Sequence, residues 1–162
     1  MMFSAGILTI SDKGAAGVRE DESGRVLHEL LEGLPAKVVV YRVIPDEKTE
    51  IRSHLISFSD EWQCNLLLTT GGTGISPRDV TPNVTETVLD YLIPGIGEIM
   101  RMEGHKINAR AIISRAVGGV RGKTLIVNLP GSPRAVRENF EILRPVLPHA
   151  IEKMLGDQRE CA

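Results

Sequence analysis

Aromatic residues are scarce in this sequence, and cysteine is nearly absent. Phe, Trp and Tyr make up 4% of the 162 residues, so ligand recognition is expected to rest on backbone N–H groups and charge more than on ring stacking. Cys64 and Cys161 form no CxxC pair and lie far apart. They indicate neither a zinc site nor a disulfide framework, and they fit a reducing, cytoplasmic setting.

Long apolar runs and a strong net charge are also missing. No run approaches the ~20 apolar residues that cross a bilayer, and the N-terminus has no signal-peptide pattern. The formal net charge of −2 argues against a protein that coats nucleic acid. With 42% hydrophobic and 25% charged residues, the composition predicts one globular domain over residues 1–162, with no membrane segment and no nucleic-acid partner.

Glycine and proline, by contrast, are concentrated in one part of the chain. Ten of the 16 glycines and five of the nine prolines fall within residues 71–133. Roughly one residue in four there is Gly or Pro, against about one in eight in average proteins. The backbone of this part is therefore expected to make many tight turns.

Four short runs of β-branched and aliphatic residues predict strands. They cover residues 6–10, 37–44, 65–70 and 123–128. Since each run is nearly continuously apolar, we expect these strands to lie inside a parallel sheet that is covered on both faces.

Apolar residues between and after these strands recur at spacings of three and four, which predicts helices. The stripes cover residues 26–34, 51–62, 84–92, 96–100 and 136–154. Thr81 and Ser132 are expected to cap the third and the last helix, since a proline follows each of them. Pro145 and Pro148 should kink or divide the last stripe.

The predicted order of elements is β-α-β-α-β-α-α-β-α, with an irregular stretch over residues 107–122 that holds a short hairpin. Strands that alternate with helices predict an α/β fold of three layers (αβα) with a mostly parallel central sheet. In such a sheet, ligands bind beyond the carboxyl ends of the strands, where the loops converge. The candidate site residues therefore follow the predicted strands.

The loop after the third predicted strand, GGTGISPRDVTP, is the most informative stretch. Gly71, Gly72 and Gly74, with Thr73 between them, permit positive φ and leave backbone N–H groups open to a phosphate or carboxylate. The loop has neither the GK[ST] of a Walker A motif nor the third glycine of a GxGxxG fingerprint. On its own it fits a plain strand-to-helix turn equally well.

Two aspartates flank this loop. Asp79 lies between Pro77 and Pro82, and Asp46 follows the second predicted strand. A pair of carboxylates beside an anion-binding loop suits Mg²⁺, which takes one or two carboxylates together with phosphate oxygens. The alternatives are that Asp46 caps the helix starting at Glu47, and that Asp79 only stabilises its own turn.

A first loop, a second glycine turn and a basic stretch offer further candidates. Ser11 and Asp12 follow the first strand, and NLPGSP (128–133) leads into a helix N-terminus. Six basic side chains against one acidic lie within residues 101–123. There, Ser114 and Arg115 could bind phosphate or belong to the surface structure alone. No HExxH or GxSxG motif occurs, so a hydrolase triad is not expected.

Five motifs together resemble a known family. They are TISD (9–12), IPDE (44–47), TTGGTGISPRDVTP (69–82), PGIGEIMR (94–101) and SRAVGGVRGKTLIVNLPGSP (114–133). In this order they look like the MogA/MoaB family of molybdenum-cofactor biosynthesis, and they are similar to the G domains of gephyrin and of the plant two-domain cofactor enzyme. The resemblance covers essentially the whole chain.

The resemblance implies a molybdopterin adenylyltransferase, which joins molybdopterin to ATP with Mg²⁺ and releases pyrophosphate. It implies catalytic and metal-binding roles for Asp46 and Asp79, and molybdopterin binding by Ser114 and Asn128. It assigns the rest of the shared substrate pocket to Gly71, Gly72, Thr73, Gly74, Pro130, Gly131, Ser11 and Asp12. It also implies a homotrimer or hexamer and hand-over of the product to a molybdate-inserting enzyme.

Three alternatives to this function stay open. The chain could be a catalytically silent molybdopterin-binding or scaffold module, or an enzyme of the CinA type that acts on nucleotide pyrophosphates. Molybdate insertion into the adenylylated cofactor belongs to a homologous domain of larger proteins. Retention of Asp46 and of the Arg78 and Asp79 pair favours the adenylyltransferase.

Overall fold

In a computed structural model, which describes residues 1–158, a six-stranded sheet forms the middle layer. The strands are β1 (Phe3–Ile10), β2 (Ala36–Ile44), β3 (Leu66–Thr70), β4 (Tyr91–Leu92), β5 (Gly118–Arg121) and β6 (Thr124–Leu129). Their order across the sheet is β2-β1-β3-β6-β5-β4. The first four are parallel neighbours, and β5 and β4 extend the sheet in antiparallel pairing.

The described residues also form seven α-helices and one 3₁₀ helix. They are α1 (Asp12–Ala15), α2 (Glu22–Leu31), α3 (Lys48–Asp60), α4 (Thr81–Val88), α5 (Pro94–Ile107), the 3₁₀ helix (Ala109–Ile113), α6 (Pro133–Leu143) and α7 (Leu147–Met154). Within residues 1–158, no helix has the length and apolar character needed to cross a membrane. Cys161 and the end of the predicted 1–162 domain lie outside the described residues.

Alternate residues of the central strands point to opposite faces and build two hydrophobic cores. Leu66 and Leu68 of β3 belong to the core formed with α2, α5, α6 and α7, whereas Leu67 belongs to the core formed with α3 and α4. The prediction of a three-layer αβα fold with a mostly parallel sheet is confirmed.

The expectation that the second strand lies inside the sheet is wrong, because β2 is an edge strand. Only Val40 and Ile44 of this strand are fully buried, and Tyr41 and Arg42 are exposed. An apolar run of β-branched residues suits an edge as well as an interior position when polar residues interrupt it. The sequence pattern therefore could not distinguish the two positions.

Two predicted helices end before their apolar stripes do. α3 ends at Asp60, and Trp62 lies beyond it with 46% of its surface exposed. The chain turns there because Gln63 takes a left-handed backbone conformation, with φ 50°. α4 ends at Val88, and Leu92 pairs in β4 with β5.

The prediction for the last helix is confirmed, and the prediction for the hairpin is confirmed in part. Ser132 caps α6 by accepting the Ala135 N–H (3.2 Å), and the last apolar stripe is divided into α6 and α7 as its prolines predict. The short hairpin has one arm, β5, inside the irregular stretch and its other arm in β6, with Gly122 in the turn at φ 55°.

Candidate active site

The carboxyl ends of β1, β2, β3 and β6 meet at one edge of the sheet. The strand register pairs Ile10 with Ile44, and Thr70 with both Thr9 and Leu129. The loops after these strands surround a main cleft of about 530 Å³. A side cavity of about 230 Å³ lies next to it along the same loops.

Ten of the twelve predicted site residues line these two spaces. The main cleft is lined in part by Ser11, Asp46, Gly71, Gly72, Asp79 and Gly131. The side cavity is lined in part by Thr73, Gly74, Ser114 and Pro130. Asp12 and Asn128 line neither space.

The glycines of the central loop are required for two different reasons. Gly71 and Gly72 have positive φ, 104° and 66°, and a Cβ on Gly71 would lie 2.1 Å from the Ile10 carbonyl oxygen. Gly74 does not adopt the positive φ that a glycine permits. A Cβ there would instead lie 2.8 Å from Asp79 Oδ2, so Gly74 leaves room for this carboxylate.

Thr81 closes this loop. Its hydroxyl donates to the Gly71 carbonyl oxygen (3.0 Å), and its N–H donates to the Gly72 carbonyl oxygen (3.2 Å). The prediction that Thr81 caps the helix is wrong, since it is the first residue of α4 and Val80 holds the cap position. Because the loop already uses the hydroxyl, a helix cap was not available from it.

Asp12 and Asp46 tie together the loops that follow β1 and β2. The Asp12 N–H donates to Asp46 Oδ2 and the Asp46 N–H to Asp12 Oδ1, both at 3.0 Å. The alternative that Asp46 caps a helix is wrong, because Glu47 is the cap residue of α3. The half-buried Asp46 carboxyl has a raised pKa, mainly through burial and then through the charges of Asp12 and Asp79.

Arg78 connects the central loop to this pair. Its Nη2 lies 2.8 Å from Asp12 Oδ1, and its Nη1 lies 2.9 Å from Glu47 Oε1. Arg78, and then the Asp46 N–H, hold the pKa of Asp12 below its ordinary value. The two carboxylates raise the pKa of the exposed Arg78 guanidinium.

Asp79 stabilises the turn in which it lies, and it also lines the main cleft. Its Oδ2 accepts the Ser76 N–H, and its own N–H donates to the Ser76 carbonyl oxygen, both at 2.9 Å. The turn role that the sequence left as an alternative is therefore present. It leaves acceptor positions on the carboxylate for a ligand.

Sequence analysis missed one wall of the main cleft, residues 19–23. Asp21 anchors this wall by accepting the Gly24 N–H (3.0 Å), the Thr9 hydroxyl (2.6 Å) and the Tyr41 hydroxyl. An aspartate just before a predicted helix is a typical cap residue. If the loop after the first strand had been taken to continue as far as this cap residue, residues 19–23 would have been included among the candidates.

The main cleft is acidic, which bears on what it can bind. Its charged lining residues are Arg19 against Glu20, Asp21, Glu22, Asp46 and Asp79. A phosphate-bearing substrate would be repelled without a cation. Mg²⁺ suits the Asp46 and Asp79 oxygens, whose charges already act on each other. Within residues 1–158, no three side chains of His, Cys, Asp and Glu are arranged so that they could hold a metal ion by themselves. Substrate oxygens and water would therefore complete its coordination.

The basic stretch mainly holds the fold together. Arg101 donates to the carbonyl oxygens of Ser114 (3.3 Å) and Ala116 (3.0 Å), and Arg121 pairs with Asp60 at 2.6 Å. Arg115, a candidate phosphate ligand by sequence, uses its guanidinium on groups of the protein. The stretch therefore does not supply free positive charge to the main cleft.

Asn128 lies in the core at the end of β6 and has no exposed surface. Its Nδ2 donates to the hydroxyls of Thr69 and Thr85, each at 3.0 Å, and its Oδ1 accepts the Val117 N–H at 3.4 Å. The side chain is not brought to the surface of either space. Its assignment to molybdopterin binding stays a prediction.

Comparison with known proteins shows close relatives in sequence. Residues 6–149 match the family described as "Probable molybdopterin binding domain". The molybdopterin adenylyltransferase of Helicobacter pylori is 42% identical over 154 residues, covering 94% of this chain and 88% of that protein.

Solved structures agree with this assignment. The molybdopterin biosynthesis enzyme MoaB from Thermus thermophilus has a TM-score of 0.91 at 47% identity, covering 96% of this chain and 98% of that one. A MogA structure has a TM-score of 0.87 at 40% identity, covering 93% and 99%. A CinA protein of Thermoplasma acidophilum, 14% identical with a TM-score of 0.68, shares the fold alone. This chain therefore belongs to the MogA/MoaB family of molybdopterin-binding domains.

Proposed function

We propose that this protein is a molybdopterin adenylyltransferase of molybdenum-cofactor biosynthesis. The observation that carries the proposal is the placement of Asp46 and Asp79 on one acidic cleft beside the glycine loop, in a chain 42% identical to an adenylyltransferase. Both carboxylates follow strands of the sheet, at the edge where ligands of α/β proteins bind.

The chemistry needs no nucleophile from the protein. A terminal phosphate oxygen of molybdopterin attacks the α-phosphorus of ATP, and a new P–O bond forms there. The bond from the α-phosphorus to the bridging oxygen of the β-phosphate breaks, and pyrophosphate leaves with that electron pair. The task of the protein is to align two polyanions and to offset their repulsion.

The two neighbouring spaces suit the two substrates. We assign the nucleotide to the main cleft, because Asp46 and Asp79 lie there, and the pterin to the side cavity, which Ser114 lines. The reacting phosphates would then meet where Gly72 of the main cleft adjoins Thr73 of the side cavity. Backbone N–H groups of this loop can approach phosphate oxygens closely because glycines flank it.

Asp46 and Asp79 are the residues that would hold Mg²⁺. When bound, the ion would supply positive charge that offsets the negative charge of the phosphate oxygens. Burial raises the pKa of Asp46, and a neighbouring cation favours the ionised carboxylate again. Metal binding and proton release at Asp46 are therefore expected to be coupled.

The deciding experiment is adenylylation of molybdopterin by purified protein with ATP and Mg²⁺, followed by mass spectrometry. Wild type is expected to form product, and Asp79→Asn is expected to lose about 100-fold or more in turnover while it still binds molybdopterin. The control is Asp60→Asn, since Asp60 pairs with Arg121 away from both spaces.

Two other outcomes would contradict the proposal. Wild-type protein that binds molybdopterin but forms no product would be the silent module. Cleavage of a nucleotide pyrophosphate in the absence of molybdopterin would indicate CinA-type chemistry.

The proposal also includes a cytoplasmic homotrimer or hexamer that hands its product to a molybdate-inserting enzyme. Exposed apolar side chains on α5 and the 3₁₀ helix support self-association. They include Met102, Ile107, Ile112 and Ile113, which are 48 to 64% exposed. Light scattering on the purified protein distinguishes monomer, trimer and hexamer.

A further inference from the structure

Arg115 holds the segment of the central loop that carries Asp79. Its backbone N–H donates to the Thr73 carbonyl oxygen (2.8 Å) and its Nε to that of Gly74 (2.8 Å). Its Nη2 donates to the carbonyl oxygen of Asp79. One residue from the connection before β5 thus binds the loop at both ends of the segment 73–79.

The third side of the guanidinium reaches α4, where Nη1 donates to Asn83 Oδ1 (2.7 Å). Among residues 1–158, no carboxylate forms an ion pair with Arg115, in contrast to Arg78 and Arg121. Arg115 lines neither the main cleft nor the side cavity. Two of its three side-chain hydrogen bonds are therefore made to the backbone of the loop, and the third joins the loop to α4.

The hydrogen bonds from Arg115 to the loop, which we call the Arg115 clamp, also set the direction in which backbone N–H groups of the loop point. In a trans peptide unit, the carbonyl of one residue and the N–H of the next point opposite ways. Since Arg115 binds the carbonyls of Thr73 and Gly74, the N–H groups of Gly74 and Ile75 point away from it. Within the described chain, neither N–H donates to a protein acceptor.

We propose that Arg115 is a positioning residue, which keeps Asp79 and the free N–H groups of the glycine loop in one arrangement for the reacting phosphates. The inference rests on the proposed adenylyl transfer. A displacement of about 1 Å at a reacting group costs about 100-fold in rate. Loss of the clamp is therefore expected to lower kcat much more than it changes KM.

The test compares Arg115→Ala with Arg121→Ala. Arg121 is a matched control because it also makes three side-chain hydrogen bonds, two to Asp60 and one to the Val88 carbonyl oxygen, away from both spaces. Arg115→Ala is expected to lower kcat about 100-fold, with KM for ATP changed by no more than about threefold. Added ethylguanidinium at millimolar concentration should restore part of kcat in Arg115→Ala alone.

Arg115→Lys covers the case in which the alanine variant does not fold. The lysine keeps the charge, but a single ammonium group cannot reach acceptors on three sides. A partial loss of kcat is therefore expected. Wild-type kcat in either Arg115 variant, a loss in a folded Arg115→Ala that ethylguanidinium does not restore, or an equal loss in Arg121→Ala overturns the proposal.

A second readout needs no turnover. Hydrogen exchange of the Asp79 and Thr81 amides, which bond to Ser76 and Gly72, should be faster in ligand-free Arg115→Ala and unchanged in Arg121→Ala. Unchanged exchange in Arg115→Ala overturns the clamp itself. Wild-type protein without adenylylation refutes the proposed function instead, and the exchange comparison then decides whether Arg115 orders the loop.

Discussion

Two polar clusters lie at the same edge of the sheet, one in the core and one in solvent. The buried amide cluster consists of Asn128, Thr69 and Thr85. Asn128 has no exposed surface, and its amide group bonds to both hydroxyls and to the Val117 N–H. No side-chain N or O atom that is buried within residues 1–158 lacks a hydrogen-bond partner. Such a cluster stabilises one arrangement of its side chains, and both amide hydrogens of Asn128 are already donated within the protein.

The edge carboxylate cluster consists of Asp12, Asp46, Glu47 and Arg78. It brings three carboxylates and one guanidinium together at the rim of the main cleft, and its ion pairs are half exposed. Exposed ion pairs contribute little to stability, whereas their charges stay available to a metal ion or a phosphate. The comparison predicts that changes in the buried cluster alter stability and that changes in the edge cluster alter chemistry.

The largest loss of stability is expected from Asn128→Ala. The substitution removes three hydrogen bonds and leaves the half-buried Val117 N–H without its acceptor. We expect a loss of about 2–3 kcal/mol in the free energy of unfolding, measured by urea denaturation. Asn139→Ala is the control, since Asn139 makes one bond within α6, and it should change stability by about 0.5 kcal/mol or less.

A different result would reassign Asn128. If Asn128→Ala unfolds at the wild-type urea concentration and yet loses molybdopterin binding, its amide reaches the ligand, as the family resemblance implies. The buried amide cluster would then open when substrate binds.

A smaller effect of opposite sign is expected from Asp46→Asn. Burial raises the pKa of Asp46, so protonation of this carboxyl favours the folded state. Its contribution to the free energy of unfolding is fully present below the unfolded pKa, about 3.9, and is lost as pH rises through the folded pKa. At pH 7 the ionised carboxylate opposes folding. Removing this charge should increase stability at pH 7 by less than about 1 kcal/mol, because solvent screens a half-exposed group.

Urea denaturation at pH 7 and near pH 4 measures this effect, and the gain should shrink at the lower pH. Asp60→Asn is the matched control with the opposite sign, because Arg121 holds the pKa of Asp60 below its ordinary value. Asp46→Asn should also abolish stabilisation by added Mg²⁺ and ATP. A loss of stability at pH 7 would show that the Asp46 charge supports the edge cluster.

The same contrast separates what sequence could and could not predict. The central strands were predictable because Leu66, Leu67 and Leu68 are apolar whichever face they occupy, and the loop rule then put Asp46 and Asp79 at one edge. The bonding of each polar side chain was not predictable. Asn128 and Arg115 stand in motifs beside phosphate-binding patterns, yet their partners come from residues distant in sequence, which a local pattern does not contain.

The smallest effect on stability, and the sharpest test of the edge cluster, is expected from Arg78→Ala. The urea midpoint should stay at the wild-type value, since the ion pairs of Arg78 are exposed. The pKa of Asp12, which Arg78 holds low, should rise toward about 3.9. The pKa of Asp46, which the charge of Arg78 lowers in part, should rise further.

Carbon NMR of the carboxyl groups measures both titrations, and the pH–rate profile of adenylyl transfer provides the functional readout. Because the proposed metal site needs ionised Asp46, the acidic limb of that profile should move to higher pH in Arg78→Ala. Arg134→Ala is the control, since Arg134 pairs with Glu138 on α6. This substitution should change neither the carboxyl titrations nor the acidic limb of the pH–rate profile. If Asp12 keeps its low pKa in Arg78→Ala, the N–H of Asp46 sets that pKa, and backbone hydrogen bonds organise the edge cluster more than charge does.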